Sequence, residues 1–339
     1  MKKIAIAFIL ISNVLFGQDI HFSQLGINNL LNNPAAAGFY NGWERLAVNH
    51  KNQWINANTN FLTTGISADM NLFKPQRGKG AYLGVGITFY NDIGGDSKFG
   101  LRNFSGSISA VVPISSSGRI SFGFSSGFGQ KSANLENVLF PNQFDGSELN
   151  SAVPSLEAQN LSSNLYGDFG FGFLYQYGSV QQSIAANRNM SITIGMSYSH
   201  FNKPKINFNN IYIESLFAKF ALGGELIKDF SGSKLGIESI VNQYIQGPHS
   251  ETYIASLLRF QLSSGSKVTR LKKSVVLSGG IGYRYNDAIV PILKYQKGDW
   301  QFGLSYDVTI SKLGSYKRTG GLEFSLIYNS QRFALIKRR

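Results

Sequence analysis

Long runs in which bulky apolar residues alternate with small polar ones constrain this chain more than any other feature. From Leu83 onward, Leu83, Val85, Ile87 and Phe89 occupy one parity, and Gly84, Gly86, Thr88 and Tyr90 the other. This is the two-residue period of an extended strand with unlike faces. Ile120, Phe122 and Phe124 alternate in the same way with Ser121, Gly123 and Ser125, and Ile192, Ile194, Met196 and Tyr198 with Thr193, Gly195, Ser197 and Ser199. Toward the C-terminal end, Trp300, Phe302, Leu304, Tyr306, Val308 and Ile310 oppose Gln301, Gly303, Ser305, Asp307 and Thr309. No helical period competes over these lengths.

Strand length and the chemistry of the two faces separate a membrane barrel from a soluble sandwich. A bilayer-crossing strand needs about 9–11 residues, whereas soluble strands average about 5–6. The segments here are of the longer kind, with large aromatic side chains on the apolar parity and small ones on the other. A soluble barrel has the reverse arrangement, because its large side chains must fill the inside. The apolar face is therefore expected to meet lipid. Only 15% of the 339 residues are charged, against roughly 25% in ordinary soluble domains. Trp54, Tyr90, Tyr198, Trp300 and Tyr328 stand near segment ends and suit interfacial girdles.

Alternation and turn residues divide the chain into strands near 43–54, 59–72, 80–91, 100–112, 119–131, 164–177, 190–202, 215–228, 234–245, 250–262, 274–286, 288–297, 299–310 and 320–329. These are fourteen, an even number, as a closed antiparallel outer-membrane barrel with both ends in the periplasm requires. Of the eight prolines only Pro291 falls inside a strand, where it removes a ladder donor.

Lys2 and Lys3 followed by the apolar stretch Ile4–Phe16 read as an export signal, too short to span a bilayer. The expected organisation is a signal peptide over 1–17, an N-terminal periplasmic or plug segment over 18–42, and an outer-membrane β-barrel over 43–339. With the N-terminus periplasmic, the long gap 132–163 falls outside, where such barrels carry their longer loops. The formal net charge of +13 then sorts by side. Lys74, Arg77, Lys79, Arg119, Arg188, Lys267, Arg270, Lys272, Lys273 and the tail Lys337–Arg339 lie with other cations on the periplasmic rim, while Glu136, Asp145, Glu148 and Glu157 lie in the long outer loop, though the outer loops also hold Lys98, Lys203, Lys205, Lys312, Lys317 and Arg318. Two accounts stand side by side: loops solvated by whatever charge is at hand, or a docking face for an acidic periplasmic partner.

Motifs that carry chemistry are sparse. With no cysteine, disulfides, thiol catalysis and Cys-ligated metals are excluded. Gly123-Phe-Ser-Ser-Gly127 matches the GxSxG nucleophile elbow, but Ser125 sits mid-strand with no helix after it. His21, His50, His200 and His249 are far apart and none has metal-ligand spacing. Asp307 and Glu323 share the inward parity of neighbouring strands and are expected to bond to interior Lys, Arg, Ser or Tyr groups instead of acting as a catalytic pair. No phosphate- or nucleotide-binding loop precedes a helix, and no nucleic-acid module is present. The chain is thus expected to have no catalytic, cofactor or metal residues, and not to be an enzyme.

Gln18-Asp-Ile-His-Phe-Ser-Gln24, then Asn33-Pro-Ala-Ala-Ala-Gly38 and Lys51-Asn-Gln-Trp54, strongly resemble the PorP/SprF family of Bacteroidetes outer-membrane proteins in order and spacing. Ser199-His-Phe-Asn-Lys-Pro204, Gly282-Tyr-Arg-Tyr-Asn-Asp-Ala288 with Pro291, Ser305-Tyr-Asp-Val308 and Ser311-Lys-Leu313 extend the likeness over the mature chain. Leu322 departs from it, standing where many members carry a His before the final-strand Glu, here Glu323. The resemblance implies a barrel of the type IX secretion and gliding apparatus that works with a secreted adhesin bearing a C-terminal sorting domain and with periplasmic ring or motor lipoproteins. The alternative from another class is a passive porin or small-solute transporter, since a barrel of this size encloses water unless something fills it. Asn33–Gly38 itself reads as a turn fixing entry into the first strand.

Overall fold

A computed structural model describes residues 19–24, 26, 29–53, 61–75, 80–95, 97–135, 138–144, 146–148, 150, 152–154, 156, 160–178, 190–208, 212–263, 273–311 and 320–330. Its strands are β1 (Glu44–Gln53), β2 (Phe61–Leu72), β3 (Tyr82–Gly94), β4 (Phe99–Pro113), β5 (Gly118–Asn134), β6 (Asn160–Ser162), β7 (Tyr166–Gly178), β8 (Met190–Ser199), β9 (Lys205–Phe208), β10 (Tyr212–Ser215), β11 (Lys219–Asp229), β12 (Leu235–Gln246), β13 (His249–Ser263), β14 (Val275–Arg284), β15 (Ala288–Lys297), β16 (Trp300–Thr309) and β17 (Gly320–Asn329). Fourteen of them form one antiparallel wall in which each pairs with the next, omitting β6, β9 and β10. β17 returns to β1, from Arg45↔Asn329 to Gln53↔Gly321, and closes the wall. Closure leaves no strand edge unpaired in the bilayer.

The two parities divide as expected on the outside. Ile87, Phe89, Phe122, Phe124, Ile194, Met196, Phe302 and Leu304 are exposed on the outer face, where hydrocarbon takes the place of a protein core. Trp300 packs on Tyr328, with ring centroids 4.7 Å apart. The interior is less uniform than small and polar. It buries Val111, Leu174, Leu257 and Val290, and with them Lys51, Arg284 and Glu323. Such side chains fit because something other than water fills the lumen.

The strand bounds follow the sequence partition closely, with four differences. Tyr90 is not part of a girdle: it shares the inward parity of Thr88 and lines the lumen beside Asp168. Arg119 does not extend into solvent from a rim turn. It turns inward, its guanidinium 4.4 Å above the Phe39 ring and donating to Gln176 Oε1 at 2.8 Å. The long gap 132–163 is not wholly loop, since β5 runs on to Asn134 and pairs with β6. The stretch after β8 holds the β9–β10 hairpin, which the alternation of four-residue strands is too brief to announce. Within β15, pairing to β16 runs through Ile289↔Val308, lapses at Val290 and Pro291, and resumes at Ile292↔Ser305. Pro291, having no N–H, accounts for that gap. The signal stretch 1–17, Trp54, Arg77, Lys79, Arg188, Lys267, Arg270, Lys272, Glu136, Asp145, Glu157 and the tail 337–339 lie outside the described residues.

The rim at which β1 starts and β17 ends is termed the terminal rim, and the opposite one the loop rim. The long connections 134–166 and 199–219 are on the loop rim.

Candidate functional site

Between Asp19 and Gly42 the chain runs through the barrel from the loop rim to the terminal rim, where it enters β1. Each stage of that path is held by inward side chains of a different wall segment. At the loop rim, Asp19 Oδ2 lies 2.6 Å from His200 Nε2 and 3.7 Å from Lys219 Nζ, and its backbone N–H donates to Gln246 Oε1 at 2.9 Å. His200 Nδ1 lies 2.7 Å from Asp168 Oδ1. His200 is beyond the end of β8 and Asp19 precedes β1, so both lie outside the membrane-crossing strands. Burial alone would lower the His200 pKa, but the Asp19 and Asp168 carboxylates beside it push it up to about 10. Asp19 also feels burial, outweighed by the charges of His200 and Lys219, which hold it well below the usual carboxylate range.

Further in, Ser23 and Gln24 meet the buried carboxylate of Glu323. The backbone N–H groups of Ser23 and Gln24 donate to Glu323 Oε2 and Oε1 at 2.8 and 3.0 Å. The Gln24 side chain is fully used: its Nε2 donates to Ser305 Oγ and the Glu323 carbonyl, and its Oε1 accepts from Ser325. Ser23 Oγ donates to Asp307 Oδ1 at 3.0 Å and accepts from Arg284. Asp307 Oδ2 in turn lies 3.0 Å from both Lys51 Nζ and Arg284 Nη1. Lys51, Arg284 and Asp307 are buried in ion pairs, and Glu323 is buried on two backbone N–H donors, so each buried group keeps polar partners.

Toward the terminal rim the Asn33–Gly38 element docks on the wall. Asn33 Oδ1 caps the 3-10 turn at Pro34–Ala36 by accepting from Ala35 N–H at 2.9 Å. Its Nδ2 donates to the carbonyls of Phe173 on β7 and Met196 on β8. Ser121 and Ser109 donate to the carbonyls of Ala35 and Ala37 at 2.7 and 2.6 Å. Opposite these backbone atoms the wall residues are Gly84, Gly123 and Gly172; a Cβ at Gly84 would strike the Ala37 carbonyl, and one at Gly123 the Ala35 nitrogen. Gly38, at φ +64°, donates its N–H to Asp69 Oδ2 at 2.8 Å, and Asp69 is held by Arg45 at 2.9 Å. The element is thus a docking element along the lumen as well as a turn into β1.

The structure brings together most of the motif residues singled out above. Asp19, Ser23, Gln24, Asn33, Lys51, His200, Arg284, Asp307 and Glu323 all serve one end, holding the N-terminal segment. Asp307 and Glu323 bond to Lys51, Arg284, Ser23 and Gln24 as their parity suggests. His50 contacts Thr64 at 2.9 Å, His21 lies 3.5 Å from Glu251, and His249 stands at the start of β13, so the histidines do not converge. Among the described residues no group of acidic and His side chains could hold a metal. Ser125 does line a cavity of about 70 Å³ with Asp168 and His200. Both His200 nitrogens are engaged by carboxylates, so the ring has no free nitrogen directed at the Ser125 hydroxyl. Sequence reading missed Asp69 with Arg45, Asp168, and a second interior set in which Glu238 lies 2.6 Å from Lys294 and 3.4 Å from Arg259. A charged residue on the small, polar parity of a membrane strand is the signal that marks each of them.

Because the doubly bonded His200 binds its proton more tightly folded than unfolded, its contribution is complete below about pH 6.5 and fades as pH rises toward 10. Thermal unfolding in detergent is expected to show His200→Gln destabilised at pH 6, with the gap to the parent narrowing by pH 10. An unchanged gap would mean that the charge of the ring contributes nothing.

A closed wall with an apolar exterior defines an outer-membrane β-barrel, here with its own N-terminal segment bonded along the lumen. The chain belongs to the PorP/SprF family, type IX secretion system membrane proteins, whose family model matches residues 14–328. Among curated protein sequences there is no match. Solved structures similar to this one include the translocator domain of the autotransporter NalP from Neisseria meningitidis, at 9% identity and TM-score 0.43, covering 86% of this chain and 88% of that one. The P. putida toluene transporter TodX is similar at 8% identity and TM-score 0.45, covering 89% and 93%. The KdgM porin is similar at 8% identity and TM-score 0.37, covering 84% and 98%.

Proposed function

We propose that this type IX secretion membrane protein is an anchoring or receiving component: it holds a secreted surface adhesin through the adhesin's C-terminal sorting domain and couples it to periplasmic ring or motor lipoproteins. In this reading the terminal rim faces the periplasm, the loop rim faces the cell exterior, and the protein is neither an enzyme nor a passive pore. The observation that supports it best is the occupied lumen. A solute channel needs a continuous wet path, whereas here a covalently attached segment runs along the lumen, held by the Asp19 ion pairs and by backbone hydrogen bonds. The unequal rims also favour it, since the long loop-rim connections offer a partner more surface than the tight turns Ile114–Ser117 and Gly298–Asp299.

Affinity capture from outer membranes is the test. Recovery of a type IX cargo through the loop rim, lost when residues 138–156 are replaced by a short Gly-Ser linker, is the expected result. Capture of neither cargo nor ring component would sink the proposal. Planar-bilayer recording separates the porin alternative: the wild-type barrel is expected to stay closed, and a steady open pore would favour transport. Ser125→Ala is expected to leave capture and growth unchanged, and any loss of function there would point to a nucleophilic role for Ser125.

A further inference from the structure

On the outer wall near the loop rim, a polar and cationic row stands directly over an aromatic one. The registers of β3, β4 and β5 set Asn91, Arg102 and Gln130 side by side, and Phe89, Phe104 and Phe128 side by side one outward position nearer the membrane centre. The Phe104 and Phe128 ring centroids are 5.6 Å apart. The aromatic face continues around the wall, with Phe201, just past β8, lying 4.7 Å from Phe171 and 5.8 Å from Phe169. Asn202 ties that corner down by donating to the Gly167 carbonyl at 2.8 Å.

The cations of this sector are unlike those inside the barrel. At the same depth on the inner face Lys51, Lys131 and Arg284 are each paired with a carboxylate at 2.9–3.0 Å. On the outer face Arg102 is exposed, and only its Nε is engaged, donating to Asn91 Oδ1 at 3.2 Å. Lys98 in the β3–β4 turn, Lys203 after β8 and Lys205 at the start of β9 are also exposed. None of the four enters an ion pair among the described residues. An outward arginine on a barrel costs about 2–4 kcal/mol at mid-bilayer but about 0–1 near the interface. Arg102, the first charged position above the phenylalanines, therefore marks the depth where headgroups begin. There its two free Nη groups present the fork that binds phosphate oxygens in pairs.

We propose that this β3–β8 sector binds a phosphate-bearing anionic glycolipid of the outer leaflet, its acyl chains on the Phe104, Phe128, Phe171 and Phe201 faces and its phosphate on Arg102, with Lys98, Lys203 and Lys205 supplying the surrounding positive field. The assignment to the outer leaflet rests on the orientation given under Proposed function. Lys98 stands at the head of Arg102's own strand, whereas Lys203, just past β8, lies three strand spacings away, about 15 Å, a span that suits a headgroup with two phosphates and several chains better than a single-phosphate lipid.

The test uses the whole barrel, delipidated in neutral detergent, titrated with bisphosphorylated lipid A in mixed micelles and read by thermal unfolding and by native mass spectrometry. The expected result is a rise in unfolding temperature and a retained lipid adduct. Dephosphorylated lipid A, phosphatidylcholine and inorganic phosphate at matched concentration are expected to produce neither. R102Q combined with K203Q is expected to weaken the adduct about tenfold or more while leaving the heat-modifiable gel shift of the folded barrel intact. Equal stabilisation by the neutral lipid, equal stabilisation by inorganic phosphate, or undiminished binding by the double variant would each overturn the site. Micelle binding does not depend on which way the barrel faces. Labelling Ser147→Cys on intact cells with an impermeant maleimide reports orientation separately, so a wrong rim assignment is distinguishable from a missing lipid site.

Discussion

Glu323→Ala is expected to release the N-terminal segment and convert a closed barrel into an ion-conducting one. The carboxylate takes two backbone N–H groups at once, from Ser23 and Gln24, in a place where water cannot substitute. Each such charge-assisted bond is worth about 1.5–3 kcal/mol, and each N–H left buried without an acceptor costs a comparable amount. Releasing Gln24 also frees Ser305 and Ser325, so the loss spreads along β16 and β17. Glu323→Gln, which keeps an oxygen for one of the two N–H groups but turns an amide toward the other, is expected to be intermediate. Planar-bilayer conductance measures opening, and unfolding in detergent measures the remaining wall, which the fourteen-strand ladder is expected to hold together. A variant that stays closed would show that the contacts of Asp19, Asn33 and Gly38 hold the segment without Glu323.

Gly123→Ala is expected to damage both the wall and the docked segment. The new Cβ would meet the nitrogen and Cα of Ala35 and the carbonyl carbon of Pro34, all backbone atoms of a capped turn that cannot swing aside. Overpacking of this kind costs about 1–3 kcal/mol, and here the strain falls on the segment as well as on β5. Gly279→Ala provides the control, because its nearest neighbour is the end of the Leu293 side chain at 3.9 Å, an ordinary contact. A lower unfolding temperature with raised conductance is expected for the first variant and neither for the second. Equal behaviour of the pair would mean that the segment does not sit against β5 at Ala35.

The wall was legible in the sequence because membrane strands carry their evidence locally. In β3, β8 and β16 each residue's face follows from its parity, and the turn residues between them bound the strands to within a few positions. Position near a strand end misled the reading of Tyr90, whose parity with Gly84 and Thr88 already placed it inside. Arg119 was likewise read as a rim charge because it opens β5, although the Phe39 ring that it covers comes from a segment eighty residues earlier. What parity cannot give is the partner. Lys51, Arg284, Asp307 and Ser23 are far apart in the chain and converge only after the wall has closed, so their motifs marked them as special without saying for what. The lone inward charges Asp69 and Asp168 carry the same message without a motif.

The passage of residues 19–42 through the lumen restricts the order of assembly. Once β17 has zipped onto β1 the segment can enter only lengthwise through the mouth at the terminal rim, so docking is most direct while the sheet is still curling. A barrel refolded from denaturant that closes first is expected to give a second, leaky species that converts slowly as the N-terminal stretch threads in.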